Sequence, residues 1–347
     1  MSNNTNFEHI PQEKFRFVQM DAQLHDKRLE TKSRSFFQDA LLRFSKNKSS
    51  VVAAWILAFL VLFALISPLL SPYSINDKDK LYINYPSYVP SIAKLHIGIM
   101  DGGKVHSSQN ETSMNYWKGI AQETGMDPVL GVVKENVSTV KYRGQMVERK
   151  TYDLNVNRYF ELGIVYRVFS YAEFQRIQDW QDETGIQVIY PYVDPADIGG
   201  SADTPNIWYQ VDGSGSAILD ADGNLQPVYC TNKALEGAEY NSLRIAGDDG
   251  SYIYSAKKSG SVQARVCYYN YYQYLNGHEP SYVFGTTAMG QDLFAAVGIG
   301  ARFSLIFALL VSAINLTIGA IYGAIQGYYG GRIDLFMDRI SDILSGL

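Results

Sequence analysis

The run Val51–Leu70 reads VVAAWILAFLVLFALISPLL. It carries no charge, and only Ser67 and Pro68 interrupt it. About 20 apolar residues, at roughly 1.5 Å each, match a hydrocarbon core of about 30 Å, so the run predicts a transmembrane helix. A cleaved signal peptide fits poorly. Fifty residues come first, the apolar core is too long, and no A-x-A site follows. A buried helix of a soluble protein would show a polar face, and this run has none. Lys32, Arg34, Arg43, Lys46 and Lys48 crowd its N-terminal side, whereas only Lys78 and Lys80 follow closely. The bias of basic residues predicts a cytoplasmic N-terminus and an extracytoplasmic segment over 71–302.

Working outward, a second apolar run covers 303–326. Its stretch Phe303–Ile325, FSLIFALLVSAINLTIGAIYGAI, holds Ser304, Ser312, Asn315 and Thr317. Polar side chains within a span usually face protein rather than lipid. Gly319, Gly323 and Gly327 recur every fourth residue, giving a smooth stripe beside Asn315 where another helix can approach. This span predicts a return to the cytoplasm for 327–347. On the other side, Phe36, Phe37, Ala40, Leu41 and Phe44 line one face beside Arg34, Arg43 and Lys46. The cytoplasmic segment 1–49 therefore contains an amphipathic helix suited either to the inner membrane surface or to a partner protein.

Charge is segregated along the chain, whose net charge is -5. Residues 1–72 carry 9 Lys/Arg against 6 Asp/Glu, and residues 73–282 carry 18 against 25. A basic head and an acidic middle suit different compartments. No basic patch is interleaved with aromatics, which speaks against nucleic acid.

Residues 71–282 are long enough to bury a core of their own. Residues 73–282 also hold 23 of the 26 tyrosines. Tyr159–Phe169 predicts a strand, Ser170-Tyr-Ala-Glu173 a capping box, and Phe174, Ile177 and Trp180 the inner face of a helix ended by Gly185. Ile186–Tyr190 predicts a second strand. Farther on, Asp212-Gly213, Asp222-Gly223 and Asp249-Gly250 read as hairpin turns. These features predict a mixed α/β domain with much antiparallel sheet. Exposed tyrosines suit peptide or protein binding, while sheet packing is the plainer use for them.

Chemistry is sparse. His96, His106 and His278 form no H-E-x-x-H, and C-x-x-C, G-x-S-x-G and P-loop patterns are absent. Ser255-Ala-Lys-Lys258 fits S-x-x-K but lacks its companion motifs. Asp220-Ala-Asp-Gly-Asn224 resembles the start of a calcium loop with a misplaced glycine and no Glu at position 12. No catalytic residue, metal site or cofactor is expected. Cys230 and Cys267 are the two cysteines, and in an extracytoplasmic domain they form either a disulfide or two free thiols.

The closing stretch is more specific. FGTTAMGQDLFAAVGIGARFSL (284–305) and GAIYGAIQGYYGGRIDLFMDRISDIL (319–344) resemble the permeases of oligopeptide/dipeptide/nickel ABC importers. Gly285, Thr286, Gly290 and Asp292 match that family's G-T-D-x-x-G-R-D, with Thr287 and Gln291 standing where it usually has Asp and Arg. Gly300-Ala301-Arg302-Phe303-Ser304-Leu305 matches its G-A-R-x-S-L. Gly327, Tyr328, Gly330, Gly331 and Asp334 match G-Y-x-G-G-x-x-D, and Arg339 and Asp342 continue the pattern. Arg43–Lys48 and Ser67–Tyr73 are similar to the flanks of the first span in the C-type subunit.

The resemblance implies an α-helical integral membrane protein, an ABC importer permease with two of six spans present, carrying a large inserted extracytoplasmic mixed α/β domain. It implies a non-catalytic subunit in a peptide translocation pathway. The expected partners are a second permease subunit, cytoplasmic ATPase subunits, an extracytoplasmic substrate-binding protein and the lipid bilayer. The family has six spans and a cytoplasmic coupling loop, so a chain ending at Leu347 is expected to be a fragment or truncated product. Residues 283–302 are expected to form an amphipathic interfacial helix, capped by Thr286 or Thr287, before the chain turns inward at Arg302. A different class of reading, a two-span receptor or adhesin, makes the outer domain the working part.

Overall fold

The computed structural model describes residues 35–142, 144–194, 198, 205–228 and 254–346. The chain divides into two compact units, 1–60 and 61–347. In the first, helix α1 (Phe36–Lys46) is capped by Ser35, whose Oγ accepts from Gln38 N at 3.4 Å. Its Phe36, Phe37 and Leu41 are all exposed, and Arg43 pairs with Asp39 at 2.7 Å. Asn47 then caps α2 (Lys48–Leu70) by accepting from Ser49 N and Ser50 N.

The second unit contains the rest of α2 and everything beyond it. Two of the chain's described helices, α2 and the later α8 (Leu293–Tyr329), are long and apolar enough to cross a membrane. Between them lies an α/β domain. After a short helix α3 (Pro90–Ala93), strand β1 (Gly103–Gln109) and helix α4 (Glu111–Thr124) precede a long ribbon of β2 (Val129–Tyr142) and β3 (Gln145–Asn157). These strands form a three-stranded antiparallel sheet in the order β1-β3-β2. Trp117 and Ile120 of α4 pack on Leu154 and Val156 of β3.

The remaining elements are helix α5 (Arg158–Glu161), β4 (Ile164–Phe169), α6 (Tyr171–Thr184), β5 (Ile189–Tyr190), β6 (Ser255–Lys258), β7 (Ser261–Cys267) and α7 (Tyr268–Asn276). Strand β7 runs between β4 on one side and β6 and β5 on the other, antiparallel to all three. Strands β4 and β5 are therefore parallel and joined by α6, with β7 inserted between them. Ser170 Oγ accepts from Glu173 N at 3.2 Å, and Gly185 ends the helix at φ +72°. The reciprocal half of the expected capping box is missing, because the Glu173 carboxylate meets Arg176 and Tyr274 instead.

Three expectations need correction here. Tyr159–Phe169 is not one strand. Asn157 caps α5 by accepting from Tyr159 N at 2.9 Å, and Gly163 breaks the chain at φ +57° before β4. In the first small hairpin the left-handed turn glycine is Gly215 at φ +83°, not Gly213. Nor is there a separate interfacial helix over 283–302. Residues 285–292 form a tight turn, and α8 then runs unbroken through Arg302. The helix is capped by Asp292, which accepts from Phe294 N and Ala295 N at 3.1 and 3.2 Å. The Asp249-Gly250 turn and Cys230 lie outside the described residues. Cys267 is a wholly buried free thiol, and burial pushes it up to about 12.

The tyrosines explain the domain's composition. One buried cluster of twelve residues contains ten of them, joined only by Ile164 and Cys267. At its centre Tyr82 has ring centroids 5.0 Å from those of Tyr85, Tyr159 and Tyr268. Most hydroxyls are satisfied within the domain: Tyr88 meets Tyr269 and Tyr272 meets Tyr282, each at 3.1 Å, while Tyr159 donates to Pro86 O. The hydroxyl of Tyr82 has no partner among the described residues.

Candidate functional site

The residues singled out before α8 converge on the C-terminal end of α2. A proline inside a helix removes one N–H and frees the carbonyl four residues earlier. Pro68 does this to Ala64, which is wholly buried. Arg302 supplies the missing donor: its Nε donates to Ala64 O at 2.7 Å, and its guanidinium also donates to Leu65 O. One turn earlier on α8, a Cβ at Gly298 would overlap Ser67 Oγ and crowd the Pro68 ring. Only glycine lets the two helices come this close. Ser71, just past α2, donates to Asp292 Oδ2 at 2.6 Å, so the residue that caps α8 also holds the end of α2.

A short backbone ladder continues from this junction into the domain. Asp79 N donates to Gly290 O at 3.0 Å, Asn84 N to Thr287 O at 3.1 Å, and Thr286 N to Tyr85 O at 3.0 Å. Thr286 Oγ1 accepts from Tyr85 N at 2.9 Å. Tyr88 and Tyr282 exchange both backbone bonds, at 2.9 and 2.7 Å. Gly285 and Gly290 sit at φ +81° and +72°, and a Cβ at either would overlap a carbonyl oxygen, of Tyr85 and Asp79 respectively. The two positions that depart from the family pattern also have work: Thr287 Oγ1 accepts from Met289 N and Gln291 N, and Gln291 Nε2 donates to Ile75 O at 2.5 Å.

Gly285, Thr286, Gly290, Asp292 and Arg302 are thus brought together, whereas Gly300 has open space beside it. Gly298 and Ala64 were not foreseen, and Ser71 was marked only as part of the stretch Ser67–Tyr73. Pro68 was the available signal, since a proline within an apolar helix announces an unsatisfied carbonyl.

The stripe Gly319, Gly323 and Gly327 is exposed with nothing near any Cβ position, and Asn315 is exposed beside it. Gly330 and Gly331, at φ +53° and +57°, turn the chain into α9 (Gly331–Ser345). Tyr322 donates to Met337 O at 2.5 Å and Gln326 to Asp338 at 2.6 Å, tying α9 to the end of α8. Asp334 lies in the first turn of α9, where a negative charge suits the helix N-terminus. Arg339 and Asp342 are exposed and 3.8 Å apart. In the domain, Asp220 Oδ1 accepts from Asp222 N and Asn224 N, which makes a hairpin turn of the calcium-like stretch. No metal-binding cluster occurs among the described residues.

Residues 35–87 match the N-terminal TM domain of oligopeptide transport permease C. This segment is similar to the permeases of OppC/DppC type. It is 48% identical over 67 residues to the oligopeptide transport system permease protein OppC of Haemophilus influenzae, covering 19% of this chain and 22% of that protein. It is 47% identical over 64 residues to the dipeptide transport system permease protein DppC of Bacillus subtilis, covering 18% and 20%. With OppC of Lactococcus lactis subsp. lactis it shares 37% over 95 residues, covering 27% and 31%. The chain thus matches between a fifth and a third of the length of these relatives. No solved structure matches it significantly. The matched 35–87 segment contains α2, Pro68 and the first rungs of the ladder.

Proposed function

We propose that this chain is a permease subunit of an ATP-driven oligopeptide or dipeptide importer and forms part of its translocation pathway. The observation that carries the reading is the match of 35–87 to the permease C membrane domain, whose α2 is clasped by Arg302 and Asp292. In this reading α2 and α8 cross the membrane, the N-terminus is cytoplasmic, and the α/β domain of 71–282 is an extracytoplasmic insertion. The exposed stripe of Asn315, Gly319, Gly323 and Gly327 packs against further helices, including those of a second permease. ATPase subunits engage the cytoplasmic side around Gly330–Asp342, and a substrate-binding protein delivers peptide outside. The chain's own role is binding and gating, without covalent chemistry.

The test is co-purification and uptake in cells. The protein should co-purify with a second permease and an ATPase, and its deletion should abolish uptake of a labelled tripeptide. Normal uptake in the deletion strain, with no partner recovered, would refute the reading. Ligand capture by the domain without any dependence on an ATPase would favour a receptor instead.

A further inference from the structure

A cavity of about 630 Å³ lies at the base of the α/β domain. Its wall includes Tyr73, three residues beyond the end of α2, and Asp292, which caps α8. It therefore sits where both apolar helices end. Three cations, Lys78, Lys80 and Arg167, and three carboxylates, Asp77, Asp79 and Asp292, line it.

The two sets of charges are not equally free. Asp79 accepts from Leu81 N, Tyr82 N and the Tyr268 hydroxyl. Asp292 accepts from Ser71, Phe294 N and Ala295 N, and Asp77 from Ser74 N. No ion pair joins any of the three cations to a described carboxylate. Arg167 lies 5.6 Å over the Tyr268 ring, and its Nε is buried without a partner among the described residues. Each carboxylate of the cavity thus already accepts at least one hydrogen bond, whereas the three cations have no ion-pair partner among the described residues.

We propose that this cavity holds a phosphate group, with Arg167, Lys78 and Lys80 as its ligands. A guanidinium fork and two ammonium groups suit the several oxygens of a tetrahedral anion better than the two of a carboxylate. The group belongs either to a phosphodiester headgroup of a bilayer lipid or to free phosphate. The lipid source rests on the membrane reading above, whereas the phosphate site does not.

The experiment uses the full chain in detergent, with native mass spectrometry and competition by short-chain phosphatidylglycerol, inorganic phosphate and acetate. Arg167→Gln and the double variant Lys78→Gln/Lys80→Gln should each weaken lipid binding about tenfold or more, with Arg167→Lys keeping part of it. Displacement of the lipid by inorganic phosphate at comparable concentration would support the site and assign it to free phosphate. Resistance to such displacement would assign it to lipid. Equal affinity in wild type and both charge-removing variants, or displacement by acetate as readily as by phosphate, would overturn the proposal. Lys78 and Lys80 are exposed, so their double variant reads binding even if Arg167→Gln fails to fold. The assay needs no transport partner, so loss of the importer reading would leave its result standing.

Discussion

Arg302 is the residue on which the junction turns. It answers an acceptor that Pro68 created 234 positions earlier in the chain. Leaving a buried carbonyl without a donor costs roughly 1–3 kcal/mol. Arg302→Met should therefore destabilise the detergent-solubilised protein by about that amount. In a Pro68→Ala background the restored backbone N–H at position 68 can bond Ala64, so the same substitution should cost clearly less. Thermal unfolding of the four proteins measures the coupling, and an equal loss in both backgrounds would disprove the link. Gly290→Ala forces both a left-handed alanine and an overlap with Asp79 O, so it should cost more than about 1 kcal/mol, while Gly300→Ala, in open space within α8, should stabilise by about 0.4–1 kcal/mol. Sequence alone marked Gly290, Asp292 and Arg302 but did not tell what each touches. Asp292 was legible as a motif residue, not as a cap, because Thr286 and Thr287 are equally good cap candidates by type. Their hydroxyls are taken by Tyr85 N and by the turn.

Among elements, the apolar helices were legible because hydrophobicity over 20 or more residues needs no tertiary partner to be recognised. Helix α6 was legible from its cap and its terminal glycine. The ribbon β2–β3 went unread, since its alternation is broken by bulges near Val129 and Val132. The link between α4 and β7 was equally invisible. There Arg265, wholly buried, binds Glu123 through both nitrogens at 2.7 and 2.8 Å and also reaches Pro191 O and Pro205 O. Arg265→Met strands the Glu123 carboxylate and should cost about 3–5 kcal/mol, whereas Arg265→Met with Glu123→Leu should recover the share due to that carboxylate and keep the cost of Pro191 O and Pro205 O losing their donor. Denaturant unfolding of the full chain decides this, and a double variant as unstable as the single one would refute it.

For the whole molecule, the tyrosine core sets the response to alkali. Burial raises the phenols of Tyr82, Tyr159, Tyr268 and Tyr272, and pushes that of Tyr85 up to about 12. An unfolded phenol titrates near 10. The folded state therefore holds its protons longer. This stabilisation is complete below pH about 10 and is lost as pH rises through 12. The unfolding temperature should fall steeply above pH about 10, and phenolate absorbance should show a population that ionises only on unfolding. A single transition near 10 for all tyrosines would contradict the core. Tyr82→Phe removes a buried hydroxyl without a described partner, so its thermal unfolding should show a protein at least as stable as wild type. That the domain is tyrosine-rich was plain from composition. That the rings cluster was not, because the members come from segments about 200 residues apart that only the fold brings together.

The reciprocal bonds between Tyr88 and Tyr282 bring the way into the domain and the way out to a single point. To the helices below, everything between those two residues is topologically a hairpin tip. Growth or exchange of material there, outside the tyrosine core, changes little at the junction, because both stems are already pinned by the rungs from Asp79 to Thr286. Such a port accepts cargo: lengthening the turn between β2 and β3 by a short Gly-Ser segment, far from the tyrosine core, should leave the unfolding temperature and the cost of Arg302→Met unchanged.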